Sequence, residues 1–220
     1  MGQPSTVLSG PAAALHAAAR ASVTASGWAA PLSPADAAWL GQALASDALA
    51  RNRLFATGRD VSGLRAERNV LRYLPVPVTV RFASATSGHG VAELVRVLSA
   101  GLTAGSTPVA STAVVLPEPV RHALADAGVP VHVEDDAAWL DRAAALAARN
   151  GPDPGLRLRL IGADPAATAR AVGGSPDVAI HAGAVVSAGR VELLPFLREQ
   201  AVSITAHRFG TPHALADGLL

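Results

Sequence analysis

Residues 109–160 read VASTAVVLPEPVRHALADAGVPVHVEDDAAWLDRAAALAARNGPDPGLRLRL, and their rhythm decides the fold. The first eight residues are mostly small or β-branched, as in a buried strand. Pro119 then suits a first helical turn, and Gly128 ends a short helix over 119–126. Val131, His132 and Val133 read as a short strand. Asp136 is expected to cap a helix that runs to Arg149 and closes at Asn150-Gly151. Residues 156–160 alternate Leu and Arg, which predicts a strand with one wet face. Strands separated by helices of this length point to βαβ units and a mainly parallel sheet.

The pattern extends both ways. Upstream, residues 69–74 and 78–82 read as strands, separated by the breaks at Pro75 and Pro77. The tight turn Ser87-Gly88-His89-Gly90 precedes a helix with Val91, Leu94, Val95, Leu98 and Leu102 on one face. Downstream, Asp164-Pro165 starts a helix ended by Gly173-Gly174, and residues 178–180 form a short strand. Residues 193–199 are expected to be helical, 201–205 a last strand, and the tail from His207 irregular. Residues 1–64 carry no strand pattern. A helix is expected over 11–25. Another starts at Ser33-Pro34, with Asp36 where the helix dipole favours negative charge, and runs to about Phe55. Residues 57–63 read as a loop. The expected organisation is a helical arm over 1–64, a Rossmann-like α/β domain of mainly parallel sheet and flanking helices over 65–206, and an irregular tail over 207–220.

Composition narrows the chemistry. Half of the 220 residues are apolar, 16% are charged, and the net charge is +1. A chain of this size buries roughly 70–75% of its unfolded surface, so it needs no staple. All 18 basic residues are Arg and there is no Lys. A P-loop and a Schiff-base lysine are thereby excluded. The arginines are scattered among 17 acids, so no basic stripe supports nucleic-acid binding. The absence of Cys excludes thiolate nucleophiles, disulfides and Cys-ligated zinc. No apolar run reaches ~18 residues and no signal-peptide pattern opens the chain, so a soluble cytoplasmic protein is expected.

Candidate sites are few. Gly88-His89-Gly90 stands where a dinucleotide-binding turn would, but Glu93 replaces the third glycine. No acidic residue follows about 20 positions on, so a plain βα turn is favoured. The histidines (16, 89, 122, 132, 181, 207 and 213) show no i, i+4 zinc spacing, so no metal site is expected. There is no Gly-x-Ser-x-Gly elbow. Asp135-Asp136 reads as helix capping rather than a catalytic pair. His207, Arg208 and Phe209 before Gly210, Thr211 and Pro212 carry anchor-type residues. They read either as a docking segment or as a cover for the chain's own core.

The stretch Ala66-Glu67-Arg68-Asn69 with Leu71-Arg72-Tyr73 and Pro-Val-Pro-Val-Thr-Val-Arg, together with residues 191–212 (VELLPFLREQAVSITAHRFGTP), resembles the C-terminal region of bifunctional proline utilization proteins. The resemblance runs from about residue 35 to the end, and its two end stretches are the specific ones. Full-length members join an FAD-dependent proline dehydrogenase to an NAD-dependent L-glutamate γ-semialdehyde dehydrogenase. The region resembled is a degenerate aldehyde dehydrogenase coenzyme domain. Residues 94–115 resemble the helix and strand that in active relatives end in a ribose-contacting Lys-Pro pair. Here the neighbourhood is Pro108-Val109-Ala110-Ser111-Thr112. Ala182-Gly183-Ala184 with Gly189 resembles a Thr-Gly-Ser…Gly turn that has lost both hydroxyls.

The resemblance therefore implies a non-catalytic domain with no cofactor of its own, and Gly88, Gly90, Gly183 and Gly189 as vestigial turn positions. It implies docking to the proline dehydrogenase and aldehyde dehydrogenase parts of a parent enzyme through residues 207–212, in assembly or in covering the passage between active sites. A homo-oligomer is also compatible. The alternative from the residues alone is a small-molecule or nucleotide-binding α/β domain, with Gly88, Gly90 and Gly183 lining a crevice.

Overall fold

The computed structural model describes residues 10–21, 33–65, 67–83, 90–149, 155–205, 207–208 and 211–212. Helices α1 (Gly10–Ala21) and α2 (Pro34–Ala50) come first, and α2 runs into a π turn at Arg51–Phe55. Strands β1 (Arg59–Asp60), β2 (Glu67–Pro75) and β3 (Thr79–Phe82) follow. Then α3 (Gly90–Ala104), β4 (Val109–Thr112), α4 (Glu118–Asp126), β5 (Val131–Val133), α5 (Asp136–Arg149), β6 (Leu156–Ile161), α6 (Pro165–Ala171) and β7 (Val178–His181) alternate. A short α7 (Gly189–Glu192) and a 3-10 turn at Leu194–Phe196 lead into β8 (Leu197–Thr205), β9 (His207–Arg208) and β10 (Thr211–Pro212).

The main sheet is parallel, in the order β5-β4-β3-β6-β7. The chain enters at the central β3, moves out to β4 and β5, then returns to the other side of β3 for β6 and β7. This is the doubly wound, Rossmann-like arrangement, with its switch point between β3 and β6. One face of the sheet packs Val80 and Phe82 against α1, α3 and α4, in a cluster that also holds Leu15, Leu40, Phe55, Leu98 and Phe196. The other face packs Leu158 and Leu160 against Trp139 and Ala143 of α5 and against Val172. Both α1 and α2 lie on the body, α1 against α3 and α4, and α2 against α3 and α7.

Local chemistry sets the helix starts. Ser33 and Asp36 form a reciprocal capping box: the Asp36 amide donates to Ser33 Oγ at 3.0 Å, and the Ser33 amide donates to Asp36 Oδ2 at 3.2 Å. Asp164 caps α6 by accepting from the Ala166 amide at 2.8 Å, with Pro165 in the first turn. At α5 the cap is Asp135, whose Oδ1 accepts from the Ala138 amide at 2.8 Å. Asp136, expected as the cap, lies in the first turn and accepts instead from Arg81.

The structure corrects several other expectations. The Leu–Arg alternation of β6 has no wet face. β6 is flanked by β3 and β7, and a parallel sheet is covered on both sides. Arg159 is 3% exposed, because α7 lies over it and Glu192 neutralises it. Helix α3 keeps its apolar face, but α1 and α2 bury its other sides too, including Arg96 and Ser99. β4 stops at Thr112, whose Oγ1 accepts from the Val114 amide and ends the ladder locally. The helix expected over 193–199 is absent: α7 ends before it at Glu192, and those residues form the 3-10 turn and the start of β8. Pro195 supplies no amide, and Arg157 collects the freed carbonyls of Pro195 and Leu197 at 3.0 and 2.7 Å. Residues 57–63 contain β1, paired with β2. The tail, expected to be irregular, includes the antiparallel pairing of β9 with β10. The expected helix end at residues 22–25 and the closure at Asn150-Gly151 lie outside the described residues.

β2 and β8 are not strands of the parallel sheet. They form a separate antiparallel sheet in the order β1-β2-β8, with nine pairs from Glu67↔Thr205 to Pro75↔Leu197.

Candidate functional site

A doubly wound sheet presents its ligand crevice at the carboxyl ends of its strands, at the switch point. Here the carboxyl ends of β3, β4 and β5 converge on one guanidinium. Arg81, with no exposed side-chain surface, donates from Nη1 to Ser111 Oγ and to the Glu134 carbonyl, both at 3.0 Å. Its Nη2 donates to Asp136 Oδ1 at 2.7 Å, and its guanidinium stands 5.8 Å from the Trp139 ring centroid. Glu134 is consumed as well. Its carboxylate accepts from Ser111 Oγ at 2.6 Å and from Arg142 Nε at 2.8 and 2.9 Å. Burial opposes this charge. The Ser111 and Arg142 bonds, with the nearby Arg81, outweigh it and hold the carboxyl below its ordinary range.

A second buried network ties down residues 182–192. Arg96 of α3 makes a bidentate pair with Asp47 of α2, at 2.5 and 2.9 Å, and neither side chain is exposed. Its Nε donates to the Val186 carbonyl at 3.0 Å. Glu192 accepts from Arg159 Nε at 2.8 Å and from the Val186 amide at 3.1 Å. Arg159 Nη1 donates to the Gly183 carbonyl at 2.8 Å. Burial above all, helped by repulsion from Glu192 and opposed by Arg96, pushes the Asp47 carboxyl up to about 6. Burial, with Arg157 and Arg159 nearby, lowers the His181 imidazole below its ordinary value.

These two networks bear on the coenzyme that the resemblance implies for the full-length family. A dinucleotide needs an acidic acceptor for ribose hydroxyls and free peptide groups for phosphates. Among the described residues, Glu134 is spent on Ser111 and Arg142, and the space beside it holds Arg81. The carbonyls of Gly183 and Val186 and the Val186 amide are spent on Arg159, Arg96 and Glu192. Among the described residues, these acids and peptide groups are therefore engaged within the chain itself.

The predicted positions are scattered. Gly88 lies outside the described residues and Gly90 opens α3. Gly183 has open space where a Cβ would stand. Gly189 does not line a crevice. A Cβ there would lie 2.5 Å from the Ser46 carbonyl and 2.6 Å from Asp47 Cα, so this glycine lets α7 pack against α2. Its amide donates to Ser46 Oγ at 2.9 Å. His207 is exposed; it and Arg208 pair with Pro212 and Thr211, while Phe209 and Gly210 lie outside the described residues. No group of three or more His, Asp or Glu residues is placed to hold a metal among the described residues. No helix among them is long and apolar enough to cross a membrane.

Sequence reasoning missed Arg81, Asp47, Arg96, Arg159 and Glu192. A signal was present: Arg81 is the one charge in β3 and Arg96 the one basic residue in the apolar α3, and a buried charge requires a partner.

The antiparallel sheet supplies the other candidate surface. β8 pairs with β2 on one side and with no described strand on the other. The turn after β1 is held rigid by Asp60, which accepts from the Ser62 and Gly63 amides, both at 3.1 Å, and from Ser62 Oγ at 2.7 Å. That turn and the residues beyond it present Val61 at 88% and Leu64 at 53% exposure.

No protein-family model matches the chain, and no curated protein matches it. Among solved structures it is similar to proline utilization A from Corynebacterium freiburgense, at 26% identity over 86% of this chain and 16% of that one, with a TM-score of 0.47. A variant of proline utilization A from Bradyrhizobium japonicum matches at 23% identity over 79% of this chain and 22% of that one, with a TM-score of 0.45. Proline utilization A with proline bound in remote sites matches at 23% identity over the same shares, with a TM-score of 0.41. The chain spans between 16% and 22% of the length of these neighbours.

Proposed function

We propose that this chain is a non-catalytic docking domain of a proline-oxidising bifunctional enzyme, acting in assembly or in covering the passage between its active sites. One observation carries the reading. The two separated stretches that resemble proline utilization proteins, around residues 66–81 and 191–212, meet in space as the β2–β8 ribbon. β1 adds only two residues to it, so most of its length is two-stranded, and two strands alone make a marginal sheet in water. Along β8 the ribbon has no strand partner among the described residues, and on the β1 side of the sheet Val61 and Leu64 are exposed and apolar. Such an edge is a template for a further strand from a partner.

The chemistry is then elsewhere in the assembly. The chain has no Cys for a thiohemiacetal, and its acids near the crevice serve as partners for buried arginines. Excluding water from a passage protects a reactive semialdehyde without requiring any reactive group in the cover.

The test is calorimetry of this chain against the proline dehydrogenase and aldehyde dehydrogenase parts. Saturable binding is expected. Val61→Asp with Leu64→Asp, and separately Arg208→Ala with Phe209→Ala, should each weaken it about tenfold or more. The nucleotide-binding alternative predicts instead that NAD, NADP, AMP or ATP raises the melting temperature.

A further inference from the structure

We propose that the cavity between the Phe55 turn, β1 and β2 binds a small carboxylic acid with an apolar or aromatic body. It encloses about 550 Å³, within the roughly 300–1,000 Å³ of small-molecule sites. The cavity lies on the β1 side of β2, away from the β8 edge, and Asp60 in its lining adjoins Val61.

One wall is apolar. Phe55 and Tyr73 meet edge to face with centroids 4.8 Å apart, and Val70 and Leu74 continue the wall. Gly58 brings the chain close against it: a Cβ there would lie 2.8 Å from Val70 Cγ1. Such a wall suits an aliphatic or planar ring body.

The charged groups select an anion. Arg72 Nε donates to Gln200 Oε1 at 2.7 Å, which fixes the plane of the guanidinium. Its two terminal nitrogens have no partner among the described residues. An oriented fork of N–H donors matches a carboxylate bidentately. Arg68 adds a second positive charge to the lining. Asp60, the acid in the lining, is not free to compete, since its oxygens already accept from Ser62, Gly63 and Asn69.

Isothermal titration of the whole chain tests this with benzoate and 4-methylpentanoate, and with benzamide and 4-methylpentanamide as neutral counterparts. The acids should bind saturably at one site, and the amides about tenfold or more weakly. Arg72→Gln should weaken the acids by about the same factor, and Arg72→Lys should restore part of the loss. Thr57→Trp, which fills the cavity from an exposed position, should abolish binding with the melting temperature unchanged. Absent binding of either acid, equal affinity for acid and amide, or full affinity in folded Thr57→Trp would each overturn the proposal. If Arg72→Gln does not fold, the acid-to-amide ratio and Thr57→Trp decide.

Discussion

Arg96 and Asp47 stand 49 residues apart in the chain and form a bidentate ion pair with neither side chain exposed. This pair joins α2 to α3, and through the Val186 carbonyl it also fixes the loop after β7. Helix α2 is thereby tied to the parallel-sheet body by charge as well as by apolar packing.

Asp47→Ala leaves Arg96 buried without its counter-ion. Breaking a buried pair from one side costs about 3–5 kcal/mol, so urea unfolding should show a loss of that size. Asp47→Leu with Arg96→Met removes both charges and should recover most of it. A loss below about 1 kcal/mol for Asp47→Ala would place the pair in a solvated setting.

The same pair sets a pH dependence. Burial first, and then Glu192, push the folded Asp47 carboxyl up to about 6 against the pull of Arg96, while its unfolded value is near 3.8. Between these values the folded protein holds a proton that the unfolded chain has released. The contribution is therefore fully present below about pH 4 and is lost as pH rises towards 6 and beyond, amounting to about 3 kcal/mol. The stability of wild type minus that of Asp47→Asn should fall across this window. A flat difference would contradict the assignment.

Gly183 and Gly189 separate two roles. A Cβ at Gly189 meets the α2 backbone, which cannot yield as a side-chain tip would. Gly189→Ala should cost about 1–3 kcal/mol. At Gly183 there is open space, so Gly183→Ala should change stability by less than about 0.5 kcal/mol. Thermal or urea unfolding of the two variants checks the contrast, and equal effects would undo it.

Arg81 and Glu134 predict the behaviour of the crevice. Glu134→Gln weakens the bonds to Ser111 and Arg142 and removes the negative charge beside Arg81. It should lower stability by about 1–3 kcal/mol, and NAD should raise the melting temperature of neither form. A rise with NAD in wild type would show that the described engagement does not close the crevice.

The fold was legible in the sequence wherever the signal was local. Residues 109–160 alternate strand and helix periods, and Ser33-Pro34, Asp164-Pro165 and Gly128 mark their boundaries by chemistry within one turn. What was not legible depends on distant partners. The arginines of β6 look solvated until Glu192 and the carbonyls on either side of Phe196 cover them. The pairing of β2 with β8 brings Arg72 against Gln200 across 128 residues, so neither strand reveals its sheet. Gly189 resembled a coenzyme turn, but its cause is the backbone of α2, more than 140 residues earlier.

The most direct measurement is the calorimetric titration of this chain into the proline dehydrogenase and aldehyde dehydrogenase parts of the enzyme it resembles. Saturable binding, weakened about tenfold or more by Val61→Asp with Leu64→Asp, is the result expected of a docking domain. Absence of binding by the folded wild-type chain would contradict it.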